Sequence, residues 1–237
     1  MNKKVVYVGK DLEAMSFAVN YHKWILEEFR PFLGKKLVEV GAGTGSFSAM
    51  LLAEKPENLA LVEPSEMFGA LEQNISQLES KTVVNYYNAI FSEAAGNLEQ
   101  QPDTIIYVNV LEHIEDDRGE LKKVYETLDA GGHCLIFVPA FMSLYGAFDE
   151  KVGHFRRYTK TGLEEKAKAA GFKVVKSKYF DFAGIFPWYI KYKLLKLDSL
   201  KSGAVTAYDK FAVPVAKQFE RFLTFPAGKN ILTVLQK

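Results

Sequence analysis

VEVGAGTGSF, running from Val38 to Phe47, compresses a strand end, a loop and a helix start into one segment. Lys36 to Val40 is a short apolar run of strand character. Gly41, Gly43 and Gly45 then alternate with Ala42 and Thr44, and a helical run follows to Ala53. Alternate glycines let a backbone turn sharply and pass close to a ligand, while the next helix aims its unpaired N–H groups at the same spot. A dinucleotide fingerprint wants its third glycine one position later, where Ser46 stands.

The same alternation continues outward. Leu59 to Val62 reads as a second strand ending in Glu63-Pro64-Ser65, with Ser65 as cap of a helix running toward Leu78. Val83 to Tyr87 is a third strand, and Thr104 to Val108 a fourth that feeds a helix through Leu111-Glu112-His113-Ile114. After a helix over 118–128, Ala130-Gly131-Gly132 turns the chain into a fifth buried run, His133 to Val138. Upstream, apolar residues at helical spacing predict a helix over 11–31, stopped by Pro31. Downstream come a helix over 161–171, a strand from Phe172 to Lys178, helical sequence over 184–225, and a last strand from Lys229 to Gln236.

Strands that alternate with helices demand crossover connections, hence a doubly wound α/β fold: a mostly parallel seven-stranded sheet with helices on both faces. The expected organisation is one domain over 1–237: a helical cover at 1–35, a cofactor-binding core at 36–183, a helical insertion or cap at 184–225 and a terminal strand at 226–237. On a helical wheel the insertion carries two apolar stripes, Ile190, Leu194 and Leu197, and Trp188, Tyr192 and Leu195, with lysines between. That surplus of apolar surface leaves core packing, an acceptor pocket, a homodimer contact and peripheral membrane contact all open, so the chain is read as monomer or homodimer.

With 48% hydrophobic and 25% charged residues, the composition is that of an ordinary globular protein. Cys134 is the sole cysteine, which excludes an intrachain disulfide and fits a reducing cytoplasm, and no metal site can be built on thiolates. No metal is assigned from the sequence. No uncharged apolar run approaches the roughly 18 residues that would span a bilayer. A soluble, cytoplasmic protein is expected. The net charge of +1 conceals an asymmetry, because residues 151–201 hold 13 Lys and Arg against 4 Asp and Glu. Such a face can steer an anionic ligand or simply be solvated. Nucleic acid is not the expected partner, since the positive charge is local and there is no basic tail.

Ligands of open α/β sheets bind beyond the carboxyl ends of the strands. Glu63, ending the second strand, can there accept both hydroxyls of a ribose. With that carboxylate added to the loop, the sequence resembles the class I S-adenosylmethionine-dependent methyltransferases of the small-molecule type 11 and type 12 group. The likeness runs from about Asn20 to the C-terminus through VEVGAGTGSF, ALVEPSEMF (Ala60–Phe68), DTIIYVNVLEHIED (Asp103–Asp116) and LDAGGHCLIFVPA (Leu128–Ala140). The resemblance implies a Rossmann-like methyltransferase fold and S-adenosyl-L-methionine as cofactor, released as S-adenosyl-L-homocysteine. It implies that Glu39, Gly41, Ala42, Gly43 and Gly45 surround the methionyl part, that Glu63 holds the ribose, and that Pro64 and Met67 flank the adenine. Asn88-Ala89 stands where the family often has an adenine-binding Asp, and an Asn oxygen can still accept that bond. Asn109, Val110 and Leu111 would lie beside the methionyl chain. Tyr21 and Trp24 match a segment that folds over the cofactor, or else pack the first helix.

On the acceptor side, His113 in LEHIED resembles the family's histidine near the reactive methyl and is the candidate general base, with a backbone-bonded helix-start histidine as the alternative. GHFRRYT, Gly153 to Thr159, resembles the G-H-x-R-R-Y element of a branch of these methyltransferases often associated with glycan, lipid or secondary-metabolite pathways. His154, Arg156 and Arg157 are candidates to grip a phosphate or carboxylate. One arginine could instead pair with Asp149 or Glu150, in an acidic turn, to pin its own loop, and Tyr158 could begin the next helix with Thr159 or Thr161 as cap. Tyr145 and Trp188 complete the candidate substrate-binding set. The expected activity is methyl transfer to a small molecule with an anionic or lipid-like part, with oxygen preferred over nitrogen and carbon. A nicotinamide-dependent oxidoreductase and a non-catalytic cofactor-binding scaffold are the alternatives.

Overall fold

The computed structural model describes residues 18–197, 202–223 and 225–237. Seven strands form one sheet in the order β3-β2-β1-β4-β5-β7-β6. They are β1 (Lys36–Val40), β2 (Asn58–Val62), β3 (Val83–Tyr87), β4 (Thr104–Val108), β5 (His133–Pro139), β6 (Lys173–Phe180) and β7 (Asn230–Gln236). The first five run parallel, and β7 lies antiparallel between β5 and β6. Strand order reverses between β1 and β4, so the crevice of the sheet opens over the glycine loop.

The central strands are continuous apolar runs because helices cover both faces of the sheet. Alternating side chains divide the core in two. Leu37, Leu59, Leu61, Ile106 and Phe137 face one side, beneath α1 (Val19–Phe29), α2 (Ser46–Ala53) and α3 (Phe68–Ser76). Val38, Val40, Ile105, Tyr107 and Ile136 face the other, beneath α4 (Phe91–Ala94), α5 (Asp117–Thr127) and α7 (Lys160–Ala169). Thr159 caps α7 by accepting from Gly162 N–H.

Several boundaries differ from the sequence expectation. Within the described residues the first helix is α1, closed by a 3-10 turn at Arg30–Phe32 that holds Pro31, while the expected residues 11–17 lie outside the described residues. Ser65 does not cap α3: its Oγ accepts from Met67 N–H in the turn before that helix. Phe148-Asp149-Glu150 is not a turn but part of α6 (Ala147–Val152).

The insertion comprises α8 (Ile185–Trp188), α9 (Ser202–Ala207) and α10 (Val213–Phe222), with π-helical stretches at Tyr189–Leu194 and Tyr208–Ala212. Leu195 N–H bonds to Ile190 C=O, an i→i+5 spacing that invalidates a 3.6-residue wheel. Trp188 and Tyr192 therefore turn inward, whereas Leu195 joins Ile190, Leu194 and Leu197 in solvent. The insertion also supplies a cap that local sequence lacks. Ala18 precedes α1 and has no capping atom, and the Asp209 carboxylate accepts from Asn20 N–H at 3.0 Å and Tyr21 N–H at 2.8 Å. The cover helix and the insertion are thus joined over the carboxyl edge of the sheet.

Candidate functional site

The glycine loop leaves β1 with Gly41 and Ala42 N–H bonded to Val62 C=O, which keeps it against β2. At Gly41 a Cβ would come within 2.5 Å of Val110 Cγ2, so the absence of a side chain lets the loop after β4 close on the loop after β1. Gly43 has φ +57° and nothing within 4 Å of where a Cβ would stand. Its bare face looks into open space, as a loop that must admit a ligand requires.

Glu63 is buried and clamps this loop from β2: Oε2 accepts from Gly43 N–H at 2.8 Å and Oε1 from Ser65 N–H at 2.9 Å. Glu39 is buried beneath the loop, accepting from Ser48 Oγ on α2. Burial pushes its carboxyl up to about 8, against the opposing hydrogen bond from Ser48 and with the help of nearby Glu63. Pro64 and Met67 are half-buried beyond β2; after β3, Asn88 is exposed and Ala89 half-buried. Asn109 follows β4 at φ +55°, in the left-handed region that Asn tolerates better than most residues, with its N–H bonded to Phe137 C=O. Val110 packs on Gly41, and Leu111 is fully buried.

Beside Asn109 opens a cavity of about 200 Å³. Tyr21, His113, His154, Arg157 and Trp188 line it, together with Phe148 and Tyr192. Tyr145, Arg156 and Tyr158, expected at the same surface, do not. Tyr145 donates its hydroxyl to His154 C=O at 2.7 Å. Tyr158 is buried, its hydroxyl reaching Leu111 C=O and Asp117. Arg156 binds Asp117 at 2.8 Å, which also receives Lys166, and donates to Glu115 C=O at 2.7 Å. These three residues support the cavity wall rather than form it, because each polar head is spent on the neighbouring 3-10 turn, α5 or GHFRRYT itself.

Asp149, fully buried in α6, is the hub of that wall. Its Oδ1 accepts from Arg157 Nε at 2.8 Å and meets His154 Nδ1 at 2.7 Å, while Oδ2 takes Arg157 Nη2 at 3.0 Å and Gly146 N–H at 3.0 Å. Burial opposes its charge, but the His154 hydrogen bond and the Arg157 guanidinium outweigh that and hold its carboxyl below the usual range. Arg157 also lies over the Trp188 ring at 4.7 Å. A guanidinium already forked onto a carboxylate has little left for an acceptor. On the opposite wall, buried Asp181 accepts from Tyr21 and Tyr208 hydroxyls and pairs with Lys229 at 2.9 Å.

His113 ends the 3-10 turn Leu111–His113, and its ring meets that of His154 edge-on at 4.5 Å. Burial, then proximity to His154, drives the His113 imidazole down to about 3, so it is neutral near pH 7. Glu112 had not been singled out by sequence. It is fully buried behind the two histidines, and burial pushes its carboxyl up to about 7. Asp181 and Lys229 were likewise missed, whereas the expected pairing of one arginine with Asp149 is present and falls to Arg157.

Residues 18–177 match the family described as "Methyltransferase domain". The chain belongs to that family. Among curated relatives, the ubiquinone biosynthesis O-methyltransferase of Pseudomonas aeruginosa (strain UCBPP-PA14) is 26% identical over 113 residues, 48% of this chain and 47% of the relative. The tRNA U34 carboxymethyltransferase of Sulfurovum sp. (strain NBC37-1) is 25% identical over 112 residues, 47% of this chain and 36% of the relative. These matches therefore span about half or less of either relative. Among solved structures, a SAM-dependent methyltransferase from Archaeoglobus fulgidus aligns with a TM-score of 0.60 at 19% identity, covering 92% of this chain and 94% of that one. The N-methyltransferase NodS from Bradyrhizobium japonicum WM9, in complex with S-adenosyl-L-homocysteine, aligns at 0.58 and 14% identity, covering 93% and 87%. The fold is thus the Rossmann-like methyltransferase fold. Among the described residues, no helix is long and apolar enough to cross a membrane.

Proposed function

We propose that this methyltransferase-domain protein transfers a methyl group from S-adenosyl-L-methionine to an oxygen of a small, largely apolar molecule held in the cavity beside Asn109. The observation that carries the reading is the contact between Glu63 and Gly43, which ties a ribose-binding carboxylate to a glycine face with free space in front of it. Glu39, Gly41, Ala42, Gly43 and Gly45 would hold the methionyl part with Asn109, Val110 and Leu111, Glu63 the ribose, and Pro64, Met67, Asn88 and Ala89 the adenine. The bound sulfonium supplies an electrophilic methyl and its own leaving group, so the protein's task is alignment.

Tyr21 and Trp188, which line the cavity with His113 and His154, would position the acceptor. Oxygen as acceptor atom is favoured by the O-methyltransferase relatives. Phe148, Trp188 and Tyr192 in the lining favour an apolar acceptor body. The arginines no longer argue for an anionic one, since Arg157 and Arg156 are paired to Asp149 and Asp117.

Calorimetric titration tests the cofactor half of this reading: S-adenosylhomocysteine should bind saturably and NADH should not, and the reverse result would sink it. Transfer of a radiolabelled methyl to phenols and other small hydroxylated aromatics tests the acceptor half. Labelling confined to amines or RNA would overturn the oxygen assignment.

A further inference from the structure

Glu112 is fully buried, and both of its carboxylate oxygens lack a hydrogen-bond partner. Leaving one buried polar group unpaired costs on the order of 1–3 kcal/mol, and more when it is charged. The same carboxylate lines the cavity and sits in a cluster with His113 and His154, whose ligand atoms all lie within 4.8 Å of one another. His154 Nε2 is 3.8 Å from Glu112 Oε1.

The geometry points to a divalent transition-metal site formed by Glu112, His113 and His154 in the wall of the acceptor cavity. Two imidazoles and one carboxylate are the donor set of zinc and non-haem iron, whereas magnesium and calcium favour oxygen donors throughout. Bonds of about 2.0–2.2 Å to such a metal require donors that converge further than their present spacing, within 4.8 Å of one another. The supporting contacts are those a metal-bound histidine uses. His154 Nδ1 is hydrogen-bonded to Asp149, which fixes the proton there and turns the Nε2 lone pair toward Glu112. Asp149 is in turn held by both nitrogens of the Arg157 fork, so its charge is already matched. One ligand carboxylate against a divalent ion then leaves the site a net positive charge, facing the cavity.

That charge has a use only if the cavity is the acceptor site, and in this respect the inference rests on the proposed function. An acceptor hydroxyl bound to the metal loses its proton to solvent. The oxygen forms the new bond to the methyl carbon, the carbon–sulfur bond breaks, and its electron pair stays on sulfur. No oxidant or reductant enters.

The test uses the whole protein, stripped with chelator and dialysed, and Co²⁺ and Zn²⁺ as probes. One Co²⁺ per chain should bind with visible ligand-field bands, and Zn²⁺ should displace it. Glu112→Gln and His154→Asn should each weaken Co²⁺ binding at least tenfold while leaving S-adenosylhomocysteine binding intact. His113→Asn gives the same comparison should either variant fail to fold, as judged by its melting curve. Absence of saturable Co²⁺ binding, or binding unchanged in all folded variants, overturns the site. Because cofactor binding is measured on the same samples, protein that binds S-adenosylhomocysteine but no Co²⁺ defeats this inference alone. Metal binding without cofactor binding would uphold the site and defeat the proposed function.

Discussion

Glu63 Oε2 accepts the Gly43 N–H at 2.8 Å, a carboxylate at the end of β2 fastening the middle of the loop that leaves β1. The bond spans the point where a nucleoside would pass from ribose to methionyl chain, and its partner oxygen is fixed by Ser65 N–H. Removing the carboxylate therefore loosens the loop and would delete the proposed ribose acceptors together. Glu63→Ala should weaken S-adenosylhomocysteine binding by roughly 1–3 kcal/mol, about 5- to 150-fold. Calorimetry measures it directly, and unchanged affinity would remove Glu63 from the site.

Gly43 separates ligand access from folding. A Cβ there meets no protein atom, so Gly43→Ala has only the positive φ to contend with, a cost of about 1–2 kcal/mol. The melting temperature should fall by a few degrees, while cofactor affinity falls by well over tenfold because the methyl occupies the ligand's space. Gly41→Ala should behave differently, since its Cβ runs into Val110 at 2.5 Å and the fold itself must shift. Equal cofactor affinity in Gly43→Ala and the parent would contradict the orientation of the loop.

Glu39 makes cofactor affinity depend on pH. Its carboxyl stands at about 8 in the free protein, raised from 4.5 by burial, so near pH 7 it is largely protonated. A cationic sulfonium and ammonium nearby favour the ionised form and lower that value on binding. Binding then releases a proton, and affinity rises with pH up to about 8 and levels off above it. Calorimetry at pH 7 in buffers of different ionisation enthalpy should report net proton release, and Glu39→Gln should abolish it. Proton uptake, or release that persists in Glu39→Gln, would refute the assignment.

The geometry around the glycine loop was legible from sequence because it is built locally. A strand end, three glycines and a carboxylate on the next strand end carry their spacing in the chain, and parallel pairing brings Val40 beside Val62. The acceptor half was not, because its contacts are long-range. The pairing of an arginine with Asp149 was open to the sequence, but that Asp149 lies in a helix and also binds His154 was not. Glu112 is separated from His154 by most of α5, β5 and α6, so no metal-binding spacing appears in the sequence. The insertion misled for a local reason. Its π-helical turn shifts the register, and Leu195, set on one stripe with Trp188 and Tyr192 by a 3.6-residue period, faces water apart from them. Asp209 capping α1 from the far end of the chain has no sequence signature at all.

The two arginines of GHFRRYT divide by burial, and stability should divide with them. Arg157 has its side chain almost wholly buried and forked onto an equally buried Asp149, so Arg157→Ala leaves an uncompensated carboxylate in the wall. Breaking such a pair costs about 3–5 kcal/mol, which for a chain of this size lowers the melting temperature by roughly 6 to 20 °C. Arg156 is more exposed, and Asp117 keeps Lys166 and the Tyr158 hydroxyl when Arg156 is gone. Arg156→Ala should therefore cost about 1 kcal/mol or less. It should also leave KM for the acceptor unchanged, because this side chain does not line the cavity. Thermal melts of both variants, with acceptor kinetics of Arg156→Ala, decide the matter: a raised KM without loss of stability would return Arg156 to the acceptor, and a negligible melting shift in Arg157→Ala would show that Asp149 is held by His154 alone.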